Sequence, residues 1–225
     1  MTPYFTFKGI NSKDYLIVNK LPPIVKPKAD IDVYEIEGRN GFLTHNKGTY
    51  RGYAKPVECS LKGLDDIDII TSWLDGTGDV VFSNEPDKTY KATIINQIDI
   101  GKISRLFHSF IVIFEVQPFK HIQSDTITLT SPGAINNPGT HPSLPKIKIT
   151  GSGDVNLTIN DKTIELTAIG PNITVDSELM DCYRNSTLLN DKMAGEFPML
   201  KVGENSISWT GNVSKVEITP NWWCI

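Results

Sequence analysis

Apolar and polar residues alternate in short runs along most of the chain, and glycine, proline, asparagine or aspartate closes each run. A two-residue period predicts β-strands rather than helices. In YFTFKGI, Phe5 and Phe7 oppose Tyr4, Thr6 and Lys8. In DIDVYEIEG, Ile31, Val33 and Glu35 share one face while Asp32, Tyr34 and Ile36 share the other. Those mixed faces predict a strand buried on one side and in contact on the other. PVECSLKG continues the pattern, and DVVFSNEPDKTYKATI reads as strand, turn at Pro86-Asp87, strand.

One segment follows a helical period instead. GLDDIDIITSWLDGTG places Ile67, Ile70, Trp73 and Leu74 on one helical face. Asp65 is the expected N-cap, with Asp66 and Asp68 near the positive end of the helix dipole. Gly76 is the expected left-handed stop. Burying each of the four apolar side chains would contribute roughly 1.5–3 kcal/mol. The aspartates read as helix capping rather than a metal site, because no second ligand cluster accompanies them.

The strongest strand is RLFHSFIVIFEVQPF. There Phe107, Ser109, Ile111, Ile113 and Glu115 alternate with Leu106, His108, Phe110, Val112, Phe114 and Val116. Apolar residues on both faces predict a central strand with the helix covering one side. His108 reads as a packed or interfacial residue. A boundary near residues 118–125 divides the protein into domains over 1–121 and 122–225. TSPGAINNPGTHPSLP is rich in proline and glycine and reads as a linker or exposed arm. Beyond it, GSGDVNLTINDKTIELTAIG predicts a hairpin turning at Asn160-Asp161. NITVDSELMDCYRN and SISWTGNVSKVEITPNWW repeat the style, with Asn205 and Gly211-Asn212 expected in turns. Short strands, frequent turns and no helical face predict a β-sandwich or jelly-roll-like second domain.

EGRNGFLTHNKGTY poses a choice between an anion cradle and a hairpin turn. A phosphate-binding glycine loop follows an apolar strand and opens a helix. Here a strand precedes Gly38 and Gly41, and more strand follows. The two glycines are therefore expected in a turn, within a long exposed excursion ending near Gly52. A simple reversal needs far fewer residues. Gly38, Arg39, Asn40, Gly41, His45, Lys47 and Tyr50 are accordingly the candidate residues for contact outside the domain.

Composition narrows the chemistry. The 225 residues carry a net charge of −4, and residues 1–121 hold 15 basic and 15 acidic side chains. Neither half has the basic excess of a phosphate-backbone binder. The longest apolar runs are too short to span a bilayer, and no secretory signal is expected at the N-terminus. Cys59, Cys182 and Cys224 lack CxxC spacing and read as free thiols. The sequons at Asn156, Asn172, Asn185 and Asn212 are expected to carry no glycan. His45, His108, His121 and His141 are scattered, which disfavours a metal site. No Ser-His-Asp, Cys-His, HExxH or Walker-type pattern occurs. Nothing selects Asp176, Glu178 or Asp181 as a catalytic carboxylate pair over solvated surface. No catalytic residue, metal or cofactor is expected.

The ordered set of segments resembles the distal tail proteins of long-tailed phages and prophages of Gram-positive bacteria, the baseplate hub family. The resemblance rests on FTFKGINSKDYLIV, EGRNG, KGLDDIDIITSWLDGTGDVVFSNEPDKTYKATI and FIVIFEVQPF, then on SGDVNLTINDKTIEL, ITVDSELMDCYRN, GEFPMLKVGENSISWTG and VSKVEITPNWW. It implies a mainly β protein. The N-terminal domain would be similar to tail-tube proteins, with one packed helix, and would close into a hexameric ring. The C-terminal domain would be a galectin-like β-sandwich outside the ring. Implied partners are further copies of the protein, the major tail tube protein, a tail-tip protein and a receptor-binding protein. DNA would pass through the lumen without specific binding. The implied location is the virion tail tip, and the host cytoplasm during assembly. The alternative is a lectin-like module for host cell-wall carbohydrate. Of the tryptophans such a module would use, Trp209 alternates with Ile207 and reads as core, and the terminal NWWCI is expected to dock on a domain or a partner.

Overall fold

A computed structural model of the protein describes residues 2–62, 66–98, 101–102 and 108–225. The fold is mainly β and divides into two compact units, Met1–Lys120 and His121–Cys224. Strands of the first unit are β1 (Phe5–Phe7), β2 (Ile10–Asn11), β3 (Leu16–Lys20), β4 (Ala29–Glu35), β5 (Phe42–Tyr50) and β6 (Tyr53–Leu61). After α1 (Ile67–Trp73) come β7 (Gly76–Phe82), β8 (Lys88–Ile94), β9 (Gly101–Lys102) and β10 (His108–Ile122). The main sheet runs β2-β1-β7-β8-β10-β6-β3, with β9 beside β10. β4 and β5 form a separate two-stranded ribbon.

Aromatic packing holds the first unit together. The Phe114 ring of β10 meets Phe5, Phe7 and Phe82 edge-on at 5.2, 5.4 and 5.6 Å. The helix seals this cluster. Ile70, Trp73 and Leu74 are buried and Ile67 is partly buried against the same core. Trp73 stacks on Phe5 at 5.7 Å and its indole N–H donates to the Phe7 carbonyl at 2.9 Å. Asp66 occupies the N-cap without a capping bond from its carboxylate, and Asp65 lies outside the described residues. The helix ends at Trp73 with Leu74 as its C-cap. Gly76 does have positive φ, but it opens β7 instead of stopping the helix.

β10 is central, between β8 and β6, yet it is not covered on both faces. Phe110, Val112, Phe114 and Val116 are buried, whereas Ile111 is half exposed. Its two apolar rows do not both meet a core: one faces the aromatic cluster, and the other shares a face with Glu58 and Pro56 of β6. Leu106, Phe107 and the His108 side chain lie outside the described residues.

The second unit comprises β11 (Ile127–Leu129), β12 (Gly133–Asn137), β13 (Lys146–Ile159), β14 (Lys162–Ile169), β15 (Asn172–Asp176) and β16 (Asp181–Arg184). β17 (Thr187–Leu188), β18 (Met193–Ala194), β19 (Gly203–Thr219) and β20 (Trp223–Cys224) complete it. The sheet order is β11-β19-β13-β15-β16-β17, with β12 also on β19, and β14 on β13 and β18. Inward residues such as Ile147, Ile149, Leu157, Val175, Val216 and Ile218 form its core. β13 and β14 turn at Asn160, which has φ +55°.

Two expectations for this unit need correction. The proline-rich stretch from Thr130 to Pro145 is not a free arm. Its β12 pairs with β19, and Ile135, Asn137 and Ser143 are buried. The Asn137 carboxamide donates to the His141 and Leu200 carbonyls and accepts from Gly139 N–H, while the Ser143 hydroxyl donates to the Pro220 carbonyl at 2.8 Å. Polar side chains thus satisfy a backbone that proline leaves without a regular ladder. Gly211-Asn212 is not a turn but a bulge inside the 17-residue β19, facing a register shift in β13. Gly211 has φ +100°, and a Cβ there would lie 2.3 Å from the Asp154 carbonyl oxygen. Asn205 lies in β19, though its carboxamide closes the preceding turn by bonding Lys201 N–H and the Lys201 and Gly203 carbonyls.

The three thiols are free and buried. Burial pushes Cys59 up to about 12 and Cys182 up to about 11. Only the thiolate reacts with disulfide reagents, and at pH 8 both groups are almost wholly protonated. Native protein is therefore expected to leave Cys59 and Cys182 unlabelled at pH 8, with labelling appearing on denaturation; mass spectrometry of labelled peptides checks this. Gly211→Ala is expected to destabilise by about 1–3 kcal/mol through backbone strain, read as a lower urea midpoint.

Candidate functional site

The segment from Leu21 to Lys28 is a proline-bearing strap with Pro22 and Pro27 buried. Fixed proline φ angles keep such a segment extended, and three side chains and one backbone N–H from elsewhere in the unit pin it down. Asn84 Nδ2 donates to the Pro22 carbonyl at 3.1 Å, and Lys55 Nζ to the Pro23 carbonyl at 2.9 Å. Tyr53 donates to the Val25 carbonyl at 3.4 Å, and Arg51 N–H to the Lys28 carbonyl at 2.9 Å.

Lys55 is only 1% exposed. Its ammonium sits 4.8 Å from the Tyr90 ring centroid and 5.4 Å from that of Phe82, positions that favour cation–π attraction. Burial holds Lys55 below the ordinary lysine range, opposed by the nearby Glu85 carboxylate. Glu85 in turn accepts from Lys120 Nζ at 2.8 Å and from the Tyr90 hydroxyl. Burial and that bond to Glu85 raise Tyr90 above the usual phenol range. One carboxylate therefore compensates two buried ammonium groups.

The strap leads into the β4–β5 ribbon. What the sequence suggested as a loop after Gly41 is strand: β5 pairs with β4 from Ala29↔Tyr50 out to Glu35↔Phe42. The reversal takes only residues 36–41, with Gly38 and Gly41 at φ +77° and +84°. The asparagine, lysine and glycine of this stretch mimic loop composition because the ribbon has no buried face to demand apolar alternation. For the same reason β4 is not buried on one side as expected.

Charge marks the base of the ribbon. Lys47 Nζ lies 2.8 Å from Asp32 Oδ1 and 3.8 Å from Asp30 Oδ2, and Arg51 Nη2 lies 2.5 Å from Asp30 Oδ1. The Arg51 hydrogen bond holds the Asp30 carboxyl below its usual range, and the Asp32 hydrogen bond holds Lys47 above its own. Tyr50 anchors the base by meeting Phe119 edge-on at 5.6 Å. The outer half is apolar on both faces. Tyr34 pairs with Leu43 on one face, and Val33 and Phe42 lie on the other. All four are exposed, Phe42 by 63% and Val33 by 57%.

All seven predicted contact residues fall on this ribbon. Gly38, Arg39, Asn40 and Gly41 form the turn, His45 and Lys47 lie on β5, and Tyr50 sits at the base. The apolar residues Ile31, Val33, Tyr34, Phe42 and Leu43 are exposed on the same ribbon and were not among the predicted contact residues. Their signal was the mixed faces of DIDVYEIEG.

Other candidates have structural partners. Asp176 is buried 3.2 Å from Lys146 Nζ and accepts from Leu179 N–H, and Asp181 accepts from Asn190 at 3.0 Å. Among the described residues, no group of three or more His, Cys, Asp or Glu side chains is placed to hold a metal. No described helix is long and apolar enough to cross a membrane. Trp222 is buried in the second core, and Trp209 packs partly buried against it. Trp223 lies beside the His121 and His141 rings, and its carbonyl accepts from Thr140 N–H, so the tryptophans of NWWCI pack on the second unit.

The fold is thus a two-unit, mainly β architecture with an anchored, solvent-exposed hairpin. It is the fold of a phage adsorption-apparatus protein: the chain matches the crystal structure of the SPP1 Dit (gp 19.1) protein, described as a paradigm of the hub adsorption apparatus in Gram-positive infecting phages. The TM-score is 0.75 and the identity 16%, covering 97% of this chain and 98% of that one. No protein-family model and no curated protein sequence matches the chain.

Replacing residues 33–44 by an Asn-Gly turn is expected to change stability by no more than about 0.5 kcal/mol, because every side chain removed is exposed. Thermal melting checks this. Glu85→Ala strands two buried ammonium groups and is expected to cost about 3–5 kcal/mol, read by urea unfolding, with Glu85→Gln milder.

Proposed function

We propose that the protein is a structural hub of a phage tail that works by assembly rather than catalysis. The observation that carries this reading is the match in fold to SPP1 Dit over nearly the whole of both chains. Fold alone does not carry function, and the hairpin supplies an independent argument. Exposed apolar side chains on both faces of a ribbon are a liability in a free monomer and an asset in an assembly.

In this reading the first unit is the tail-tube-like, ring-forming domain, the second is a galectin-like domain outside the ring, and copies join head to tail into a closed hexamer. Such a ring uses two different patches per copy. The hairpin is the contact element toward a neighbouring copy or an adjacent ring. One ring face takes the major tail tube protein and the other the tail-tip protein, with a receptor-binding protein on the outer domain. The electrically balanced first half suits a lumen that DNA traverses without being gripped. The place of action is the virion tail tip, reached after assembly in the host cytoplasm.

Light scattering over a concentration series tests the reading, using wild type and a Val33→Asp/Phe42→Asp double variant. Wild type is expected to assemble with rising concentration, and the variant to stay monomeric with unchanged circular dichroism. A wild type that remains monomeric at every concentration, alone and with the tube protein, overturns the proposal.

A further inference from the structure

The hairpin turn holds the protein's single Asn-Gly step, Asn40-Gly41. Both residues are exposed, and neither the Asn40 carboxamide nor the Gly41 N–H bonds to any described residue. Several other asparagine side chains near turns are engaged. Asn11 accepts from Lys13 N–H, Asn46 from Gly48 N–H and Asn205 from Lys201 N–H, and Asn190 bonds both Cys182 N–H and Asp181. Gly41 has no Cβ to shield its nitrogen, and nothing lies near the position where one would be.

We propose that Asn40 is a site of spontaneous deamidation, and that this modification times the assembly competence of the free protein. The Gly41 backbone nitrogen, losing its proton to solvent base, attacks Asn40 Cγ. A new bond from that nitrogen to Cγ closes a five-membered succinimide, and the bond from Cγ to Nδ2 breaks, releasing ammonia. Water then opens the ring. Addition at Cγ gives aspartate. Addition at the backbone carbonyl leaves Gly41 attached through Cγ, as isoaspartate. No oxidation or reduction occurs; one amide and water become one carboxylate and ammonia.

Either product alters the surface beside it. The new carboxylate joins Glu35 and Glu37, which with Ile36, Arg39 and Phe42 line a shallow hollow at the tip. The isoaspartyl form also lengthens the backbone inside the turn. Turn geometry sets hairpin register, so the pairs Glu35↔Phe42 and Tyr34↔Leu43 would no longer be held as they are. The consequence for assembly rests on the hub reading; the chemistry does not. A turn buried in an assembly would be shielded from the reaction, so only unassembled copies would age.

The test incubates the full-length protein at mildly alkaline and mildly acidic pH, then maps peptides by mass and assays isoaspartate with an isoaspartyl methyltransferase. Asn40 is expected to convert several-fold faster than the Asn-Ser steps at Asn11, Asn185 and Asn205, faster still at the alkaline pH, and not at all in Asn40→Gln. An intact Asn40 after the incubation, or conversion no faster than at those three sites, overturns the site. Light scattering of aged against fresh samples of each protein reads the second half. Aged wild type and fresh Asn40→Asp are expected to lose assembly relative to fresh wild type, with a smaller aged-to-fresh loss in Asn40→Gln. Equal assembly of all samples overturns the timing role. A fresh wild type that never assembles defeats the hub reading and the timing role with it, while the peptide map still decides the chemistry.

Discussion

A two-stranded ribbon has no interior. Each side chain on β4 and β5 points to one of two faces, and beyond the base, where Tyr50 meets Phe119, those faces are exposed. Apolar residues in its outer half gain little from folding the monomer. Their presence at Val33, Tyr34, Phe42 and Leu43 is hard to explain by intramolecular stability, and assembly is the reading that uses them. That constraint separates the molecule into parts with a core of their own and one ribbon without one.

The ribbon is nonetheless tied to the first unit at its base. The first unit does this with an unusual core. Lys55 directs its ammonium to a strap carbonyl and to aromatic faces, and Glu85 balances it together with Lys120. Hydrophobic residues of similar volume would often be as stable in such a place. What the charged set adds is direction. A lysine tip can donate to one particular carbonyl, so the strap has one seat rather than a range of greasy ones. The hairpin then starts from a fixed base, and the Asp30, Asp32, Lys47 and Arg51 group keeps its first turns of pairing polar and in register.

Strand alternation made most of the fold legible. The Phe5/Phe7 and Phe110–Val116 rows, the helical face through Ile70, Trp73 and Leu74, and the Asn160 reversal all follow local periods that local packing obeys. The failures share a cause. Proline near Pro132–Pro145, glycine at Gly211 and the Asn46-Lys47-Gly48 run read as breaks, because composition cannot tell a backbone that leaves the sheet from one that bends within it. Asn137, Ser143 and the Gly211 bulge make the difference through contacts distant in sequence. Lys55 and Lys120 were invisible for a plainer reason: lysine is so rarely buried that sequence alone assigns it to the surface. At the ribbon, the turn glycines were readable as a reversal, but the apolar set beside them needed the strand register to be seen as one exposed surface.

β19 has a mechanical corollary. From Lys146↔Thr219 to Ile159↔Ile207 it runs antiparallel beside β13, interrupted by two register shifts, at Thr150/Gly151 and at Ser152/Asn156. A pull along this strand would load the whole row of backbone bonds sideways and together, as in a lap joint, instead of opening them singly like a zip. A domain built on such a seam can carry tension along its length without yielding at one end first.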